Sequence, residues 1–185
     1  MKIDFTKLPT KELRLLDALA GMGMQYTPLG FSGTRVDRAL SYYGLCDPIT
    51  NGNNTPEVCA RNSDLFGAVA QLARQPLKFD FDPIEGDINS LNVRAVYLLI
   101  ALAAFADQSL KIYKHRGDHE SMYHDSMSAG EGAFIELQKY ALMITAENWC
   151  GYWTDLGHTA VEMAAQLGEF PPAEHLGQAL LRKAL

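Results

Sequence analysis

Histidines and carboxylates are concentrated in one short segment, residues 115–125. This segment holds three of the five histidines, His115, His119 and His124, together with three carboxylates, the last of them Asp125. Imidazole and carboxylate groups are the ligands of zinc, iron, manganese and nickel in proteins. The composition therefore makes His115, His119, His124 and Asp125 the candidate metal ligands of this chain.

The spacing within this segment favours another interpretation. Gly117 lies between His115 and His119 and is typical of a helix end rather than of one rigid helical face. His119 and His124 are five residues apart, which separates them by about 140° around a helix. The favoured interpretation is a solvated, histidine-rich helix junction, and a metal site is the alternative.

The dipeptide His124-Asp125 resembles the centre of the HD phosphohydrolase pattern, in which adjacent His and Asp residues bind a metal. The resemblance covers residues 87–125. It extends to pieces typical of the nucleotidase-like branch, Ser90-Leu91-x-Val93 and Met122-Tyr123-His124-Asp125. It implies a metal-dependent phosphohydrolase using Mn, Fe, Zn or Ni, with Asp155 as the downstream metal-binding Asp. Asn89 stands where the family has its upstream His.

Size and charge restrict the class of protein. The chain has 185 residues, 48% of them hydrophobic, and a formal charge of −6. This length fits one domain, residues 1–185, and the hydrophobic content is ample for a core. The negative charge repels phosphate backbones, so nucleic-acid binding is not expected. The sequence contains no P-loop and no complete dinucleotide fingerprint, so no nucleotide cofactor is expected.

Cysteine usage and hydropathy indicate a compartment. The three cysteines are widely spaced and form no CxxC pair, which favours a reducing environment. The N-terminal residues carry Asp4 and lack the apolar run of a secretion signal. The longest apolar stretch, residues 95–106, is much shorter than the ~20 residues that cross a bilayer. We therefore expect a cytoplasmic protein with no membrane partner.

Apolar residues recur at three- and four-residue steps along most of the chain, which is typical of amphipathic helices. The predicted helices begin near Thr10, Thr34, Thr55, Ser90, Ser128, Leu156 and Pro171. The helix in segment Ser90–Tyr113 is apolar on every face, so we expect other helices to surround it. The sequence predicts an all-α, single-domain bundle of about six to eight helices around this central buried helix, with one long irregular loop near residues 45–54.

Three local expectations are more specific. The first helix should be interrupted at Gly21 and Gly23, and Gly44 should end the second helix. Leu77–Phe81 alternates as a short extended segment does. The helix from Ser128 should continue through Ala141 and Ile144, with a bend near residues 149–154.

Two groups of residues are candidates for contact with a partner. The aromatic side chains Tyr26, Phe31, Tyr42 and Tyr43 cluster near glycine-rich turns. They line either a binding groove or, as the favoured interpretation, a small core beneath a loop. The second group consists of the acidic residues Asp80, Asp82 and Glu85.

The leading prediction of function is a non-enzymatic protein-interaction module of the inhibitor, immunity or regulatory type. Its acidic surface would bind another protein with a basic surface, where charge raises the association rate. No cofactor is expected under this prediction, and no catalytic residue is assigned. The alternatives are the HD-like phosphohydrolase and a bundle that binds a small molecule in an apolar pocket near Tyr97 or Phe105.

Overall fold

The computed structural model describes six parts of the chain, residues 3–26, 35–45, 63–74, 86–110, 129–146 and 150–185. Within these ranges the chain forms seven α-helices and one two-stranded sheet. The predicted all-α class is confirmed in this coarse sense. The predicted loop near residues 45–54, the helix start at Thr55 and the extended segment Leu77–Phe81 fall on or extend into residues outside these ranges.

The elements follow one another along the chain with short connections where these are described. Their bounds are α1 Thr10–Tyr26, α2 Arg35–Tyr42, α3 Ser63–Arg74, α4 Val93–Leu110, α5 Ala129–Lys139, β1 Met143–Ala146, β2 Cys150–Trp153, α6 Asp155–Ala164 and α7 Leu176–Lys183. Two 3-10 turns, Phe5–Lys7 and Ile88–Ser90, precede α1 and α4.

Two helices make most of the contacts between elements. Helix α1 packs against α3, α4 and α5, and α4 packs also against α2, α5, α6 and α7. Every residue of α4 from Ala95 to Asp107 is buried. Because these residues cover all sides of the helix, apolar neighbours are needed all round it. In the described ranges no helix is both long and apolar enough to cross a membrane.

Helix α1 continues through Gly21 and Gly23 to Tyr26, so the predicted interruption is wrong. A glycine inside a helix costs about 1 kcal/mol relative to alanine. Leu15, Leu16 and Leu19 of the same helix have no exposed surface. The packing of this apolar face outweighs the low helix propensity of the glycines.

Helix α2 ends as the sequence predicts. Gly44 has a φ of 73°, the left-handed conformation that favours glycine. The N–H of Leu45 donates to the carbonyl of Leu40, and the N–H of Gly44 donates to the carbonyl of Ser41. This pair of bonds is the Schellman motif, which satisfies the last carbonyls of a helix.

Helix α5 ends at Lys139, and the predicted continuation through Ala141 and Ile144 is wrong. Ala141 has a φ of 59° and occupies the position that Gly44 takes after α2. The N–H groups of Ala141 and Leu142 donate to the carbonyls of Gln138 and Leu137, which closes a second Schellman motif. An alanine in this conformation carries no sequence signal, because the position is usually glycine.

The chain after α5 forms an antiparallel hairpin of β1 and β2, where the sequence predicted helix and then a bend. The register pairs Met143 with Trp153 and Ile144 with Tyr152. Met143 is buried and Ile144 is exposed, so the side chains alternate with the period of two that strands have.

The hairpin is joined closely to α6. Thr154 caps α6 by accepting a hydrogen bond from the N–H of Gly157, and its own hydroxyl donates to the carbonyl of Ala141 at 2.7 Å. The N–H of Thr154 donates to the carbonyl of Leu142. A Cβ on Gly157 would overlap that carbonyl, so only glycine fits at this contact.

The last helix begins at Leu176, not at the predicted start near Pro171. Leu176 and Leu180 are buried and hold α7 against the rest of the bundle. Residues 171–175 are mostly exposed. They therefore lack the packing that would hold them in a helix.

Candidate functional site

The predicted metal ligands His115, His119, His124 and Asp125 lie outside the described residues. In the part of the chain that the structure describes, no group of three or more His, Cys, Asp and Glu side chains could hold a metal ion. The metal site at residues 115–125 stays a prediction from the sequence.

Only some of the candidate interaction residues lie within the described part of the chain. Phe31, Asp80, Asp82 and Glu85 fall outside the described residues, and Tyr26 is described only as the last residue of α1. The remaining two candidates, Tyr42 and Tyr43, are placed with their side chains.

Tyr42 and Tyr43 belong to a cluster of aromatic rings with Tyr97 and Phe170. The ring of Phe170 lies 4.9 Å from Tyr42, 5.5 Å from Tyr43 and 4.8 Å from Tyr97, measured between ring centroids. Tyr43 is 2% exposed, whereas Tyr42 is half-buried. The rings fill the space among themselves, so this cluster packs α2 and α4 against the segment before α7.

A buried carboxylate, Glu12 of α1, lies beside this cluster. Its Oε1 accepts a 2.6 Å hydrogen bond from the hydroxyl of Tyr43. Its Oε2 accepts hydrogen bonds from Asn92 Nδ2 at 2.7 Å and from Arg94 Nη2 at 3.2 Å. Arg94 Nε lies 2.9 Å from Oε1, which completes a two-pronged ion pair. Groups from three parts of the fold thus converge on one carboxylate.

The electrostatics of this network are consistent with a structural role. Burial, with help from the hydrogen bond to Glu12, raises the pKa of Tyr43. Burial disfavours the charged form of Arg94, but the bond to Glu12 outweighs it and raises the pKa of Arg94. Because three hydrogen bonds and the ion pair with Arg94 occupy the carboxylate, little capacity remains for a substrate. We therefore assign the Glu12 network to stability.

The sequence contains a signal for the burial of Glu12. Glu12 precedes Leu16 by four residues and Leu19 by seven, so it lies on the apolar stripe of α1. A glutamate on such a stripe has to find partners in the core. Asn92 also caps α4, since its Oδ1 accepts a hydrogen bond from the N–H of Ala95.

A second polar cluster lies between α1 and α5. Glu136 is 6% exposed and Tyr140 is 1% exposed. Burial raises the pKa of Glu136, the nearby Asp17 adds to this, and the charges of Lys139 and Arg14 oppose it. Burial also raises the pKa of Tyr140. Among the described residues, three buried polar atoms of this cluster have no hydrogen-bond partner, namely Arg14 Nε, Glu136 Oε2 and the Tyr140 hydroxyl.

Among the described residues, two exposed apolar side chains lie together on the hairpin. Ile144 is 62% exposed and Tyr152 is 38% exposed, and the two residues are directly opposite each other in the strand register. Side chains at opposed positions lie on the same face of a sheet. The strand sequences MITA and CGYW contain no charged residue and no proline. We call Ile144 and Tyr152 the hairpin face.

The other side of the hairpin anchors it to the core. Met143 is buried, and Trp153 donates a 3.0 Å hydrogen bond from Nε1 to Oδ1 of the buried Asp107 at the end of α4. Together with the bonds of Thr154, this contact fixes the orientation of the hairpin face. The hairpin face carries no distinct sequence signal, because Ile144 also fits the helical spacing that precedes it.

Comparison with known proteins found no match to a protein-family model, to a curated protein or to a solved structure.

Proposed function

We propose that this chain is a non-enzymatic protein-interaction module of the inhibitor, immunity or regulatory type, and that it binds its partner through the hairpin face. The observation that carries the proposal is the exposure of Ile144 directly opposite Tyr152. Single exposed apolar side chains are common on protein surfaces. Two large ones that oppose each other on a strand pair form a continuous patch, and tyrosine is among the residues enriched at the energetic centre of interfaces.

The energetic gain from covering this patch is appreciable. Full burial of an isoleucine side chain is favourable by roughly 1.5–3 kcal/mol. The hairpin is already ordered by the bond between Trp153 and Asp107 and by the bonds of Thr154 to residues after α5. A rigid surface loses little conformational freedom on binding, so more of that gain appears as affinity.

Charge supports the choice of partner. The chain carries a formal charge of −6, and Asp155, two residues after β2, is exposed. A partner with a basic rim around an apolar contact would be attracted over the distance that salt screening allows. In this proposal Asp80, Asp82 and Glu85 contribute association rate. We further propose that residues 1–185 form one domain around α4 and that the protein acts in the cytoplasm.

The test compares three tagged proteins, the wild type and two variants, in capture experiments from the native host. Wild type and Leu185→Asp should capture the same partner in equal amounts. Ile144→Asp should capture at least about tenfold less of it, because an aspartate in the contact is costly to bury. Leu185 is a suitable control, since it is an exposed apolar residue away from the hairpin in sequence and its substitution changes the charge equally. Equal thermal unfolding of all three proteins shows that folding is intact. Retention of the partner by Ile144→Asp contradicts the proposal.

A further inference from the structure

The register of the hairpin determines which backbone groups point away from it. At its base, the N–H of Thr154 donates to the carbonyl of Leu142, the residue opposite Thr154 when the register is extended by one pair. In an antiparallel pair, residues that bond to each other alternate with residues whose N–H and C=O groups point outward. The residues with outward groups are therefore Met143, Thr145, Gly151 and Trp153.

The outer edge of β2 is more accessible than that of β1. Met143 is 1% exposed, so its outward groups on β1 are enclosed. Trp153 on β2 is only half-buried. Among the described residues, no backbone hydrogen bond uses the outward N–H or C=O groups of Trp153 or Gly151. We call these outward groups of Gly151 and Trp153 the β2 edge.

The β2 edge lacks the features that keep strands from pairing with other chains. Natural edge strands carry charged residues, proline or bulges for this purpose. The strand CGYW contains no charged residue and no proline, and its four residues pair with β1 in unbroken register. A sheet of two strands is also at the lower limit of stability, and further strands strengthen it. The β2 edge is therefore suited to accept another strand.

We propose that the β2 edge pairs with the β2 edge of a second copy of this chain, so that a dimer forms around a four-stranded antiparallel sheet. A two-fold axis at Tyr152 places Gly151 of each copy opposite Trp153 of the other. Each such pair exchanges both of its N–H to C=O hydrogen bonds. Tyr152 then lies opposite Tyr152 of the second copy in a pair without hydrogen bonds, where side chains come closest.

This register also extends the hairpin face. Ile144 opposes Tyr152 within each hairpin, and the two Tyr152 side chains oppose each other across the axis. All four side chains then form one row on the same face of the sheet. Tyr152 is 38% exposed in the single chain, and cross-strand aromatic pairs stabilise a sheet. Side chains as well as backbone groups therefore favour this register.

The charge of the chain is compatible with a second copy at this edge. Each copy has a formal charge of −6, so two copies repel each other at a distance. The strands MITA and CGYW carry none of this charge, so no like charges meet between the paired strands. Salt screens the remaining repulsion, so we expect the dimer to strengthen as salt is added. The basic partner of the proposed function would show the opposite dependence, and the dimer does not require that partner.

Sedimentation equilibrium of the full chain tests the dimer. One short strand from each copy buries less than the ~1,200–2,000 Å² of a stable interface, so we expect a weak dimer. The measurement should therefore span about 10 μM to about 1 mM protein. A reducing agent keeps disulfides between copies from contributing. Low and high salt are compared at each concentration.

Two proline variants distinguish the two edges of the hairpin. Gly151→Pro removes an outward N–H from the β2 edge and should weaken the dimer at least about tenfold, because hydrogen bonds between the copies are lost. Thr145 lies directly opposite Gly151, and its N–H points away from β2. Thr145→Pro therefore makes the matched change on the other edge and should dimerise as the wild type does. Neither proline removes a bond within the hairpin, and circular dichroism shows whether both variants fold.

Tyr152→Lys decides the matter if Gly151→Pro does not fold. It places two like charges opposite each other at the axis and should also weaken the dimer. The proposal is overturned by a wild type that stays monomeric at about 1 mM, by a dimer that weakens as salt is added, or by equal loss of the dimer in Thr145→Pro. Gly151→Pro leaves Ile144 and Tyr152 in place, so its loss of the dimer is separate from any loss of the partner of the proposed function.

Discussion

The hydroxyl of Tyr43 donates a 2.6 Å hydrogen bond to Oε1 of Glu12, a carboxylate with no exposed surface. The two residues are 31 positions apart, and their bond joins the turn after α2 to the first turn of α1. Arg94 and Asn92 bring the start of α4 to the same carboxylate. A bond of this kind, made to a charged group away from water, is among the stronger ones in proteins.

Substitution of this tyrosine should therefore weaken the fold. We expect Tyr43→Phe to lower the free energy of unfolding by about 1.5–3 kcal/mol, because a hydrogen bond to a buried charge is lost. Chemical denaturation measures the change, and Tyr152→Phe on the exposed hairpin face is the control. A Tyr43→Phe protein as stable as the wild type would show that this bond contributes nothing.

The same tyrosine should make the fold sensitive to alkali. The raised pKa of Tyr43 means that the unfolded chain loses this proton first, near pH 10, while the folded chain retains it. The folded state then binds more protons than the unfolded state, so stability falls as the pH rises past 10. Tyr43→Phe should lose less stability than the wild type between pH 9 and pH 11.

Glu136 should make the stability of the fold depend on pH in the acidic range. Burial raises the pKa of Glu136 above the usual value of 4.5. The free energy of unfolding is therefore highest below pH 4.5 and falls as the pH rises through the pKa of the folded state, because the carboxylate must then ionise in a buried position. Glu136→Gln removes the ionisable group. We expect the variant to be more stable than the wild type at pH 7 and equal to it near pH 3, as measured by denaturant unfolding.

Glu162→Gln makes the same chemical change at an exposed position and controls for the loss of one charge. A Glu136→Gln protein that is less stable than the wild type at pH 7 would mean that the ionised carboxylate stabilises the fold.

Gly157 should tolerate no side chain. A Cβ at this position would overlap the carbonyl of Leu142 and lie 2.8 Å from Cε3 of Trp153. We expect Gly157→Ala to cost about 3 kcal/mol, because the hairpin must shift relative to α6. Gly168→Ala is the control, since a Cβ there has nothing within 4 Å and should change stability by less than about 0.5 kcal/mol. Equal unfolding midpoints of the two variants would contradict this contact.

Metal content separates the two candidate functions. The protein-interaction proposal predicts no stoichiometric metal in protein purified from the native host. The phosphohydrolase alternative predicts bound Mn, Fe, Zn or Ni that is lost when His124→Ala and Asp125→Ala are combined. Elemental analysis of both proteins decides this point, and a stoichiometric metal dependent on these two residues would favour the alternative.

The helical elements could be predicted from the sequence because their signals are local. Gly44 marked the end of α2, and the apolar spacing of Leu65, Val69 and Leu72 marked α3. Helix-breaking glycines were overestimated in α1, because the burial of its leucines depends on helices far away in sequence.

The candidate sites were harder to predict because their signals are not local. The buried carboxylate of Glu12 depends on hydrogen bonds from Tyr43 and Arg94. These residues are 31 and 82 positions away in the sequence, and no spacing rule relates residues so far apart. The hairpin depends on the left-handed conformation of Ala141. An alanine in the sequence does not predict this conformation. Ile144 then fitted a helical step after Ala141 and Leu137 by coincidence.

Crosslinking from position 144 tests the proposed function most directly. A photo-crosslinking phenylalanine analogue would replace Ile144 in one protein and Leu185 in the control, and each would be expressed and irradiated in the native host. The proposal predicts one dominant crosslinked protein from position 144, with a basic surface, that is absent from position 185 and is lost when Tyr152→Asp is added. The absence of any crosslinked protein from position 144 would contradict the proposal. The same crosslinked proteins from positions 144 and 185 would also contradict it.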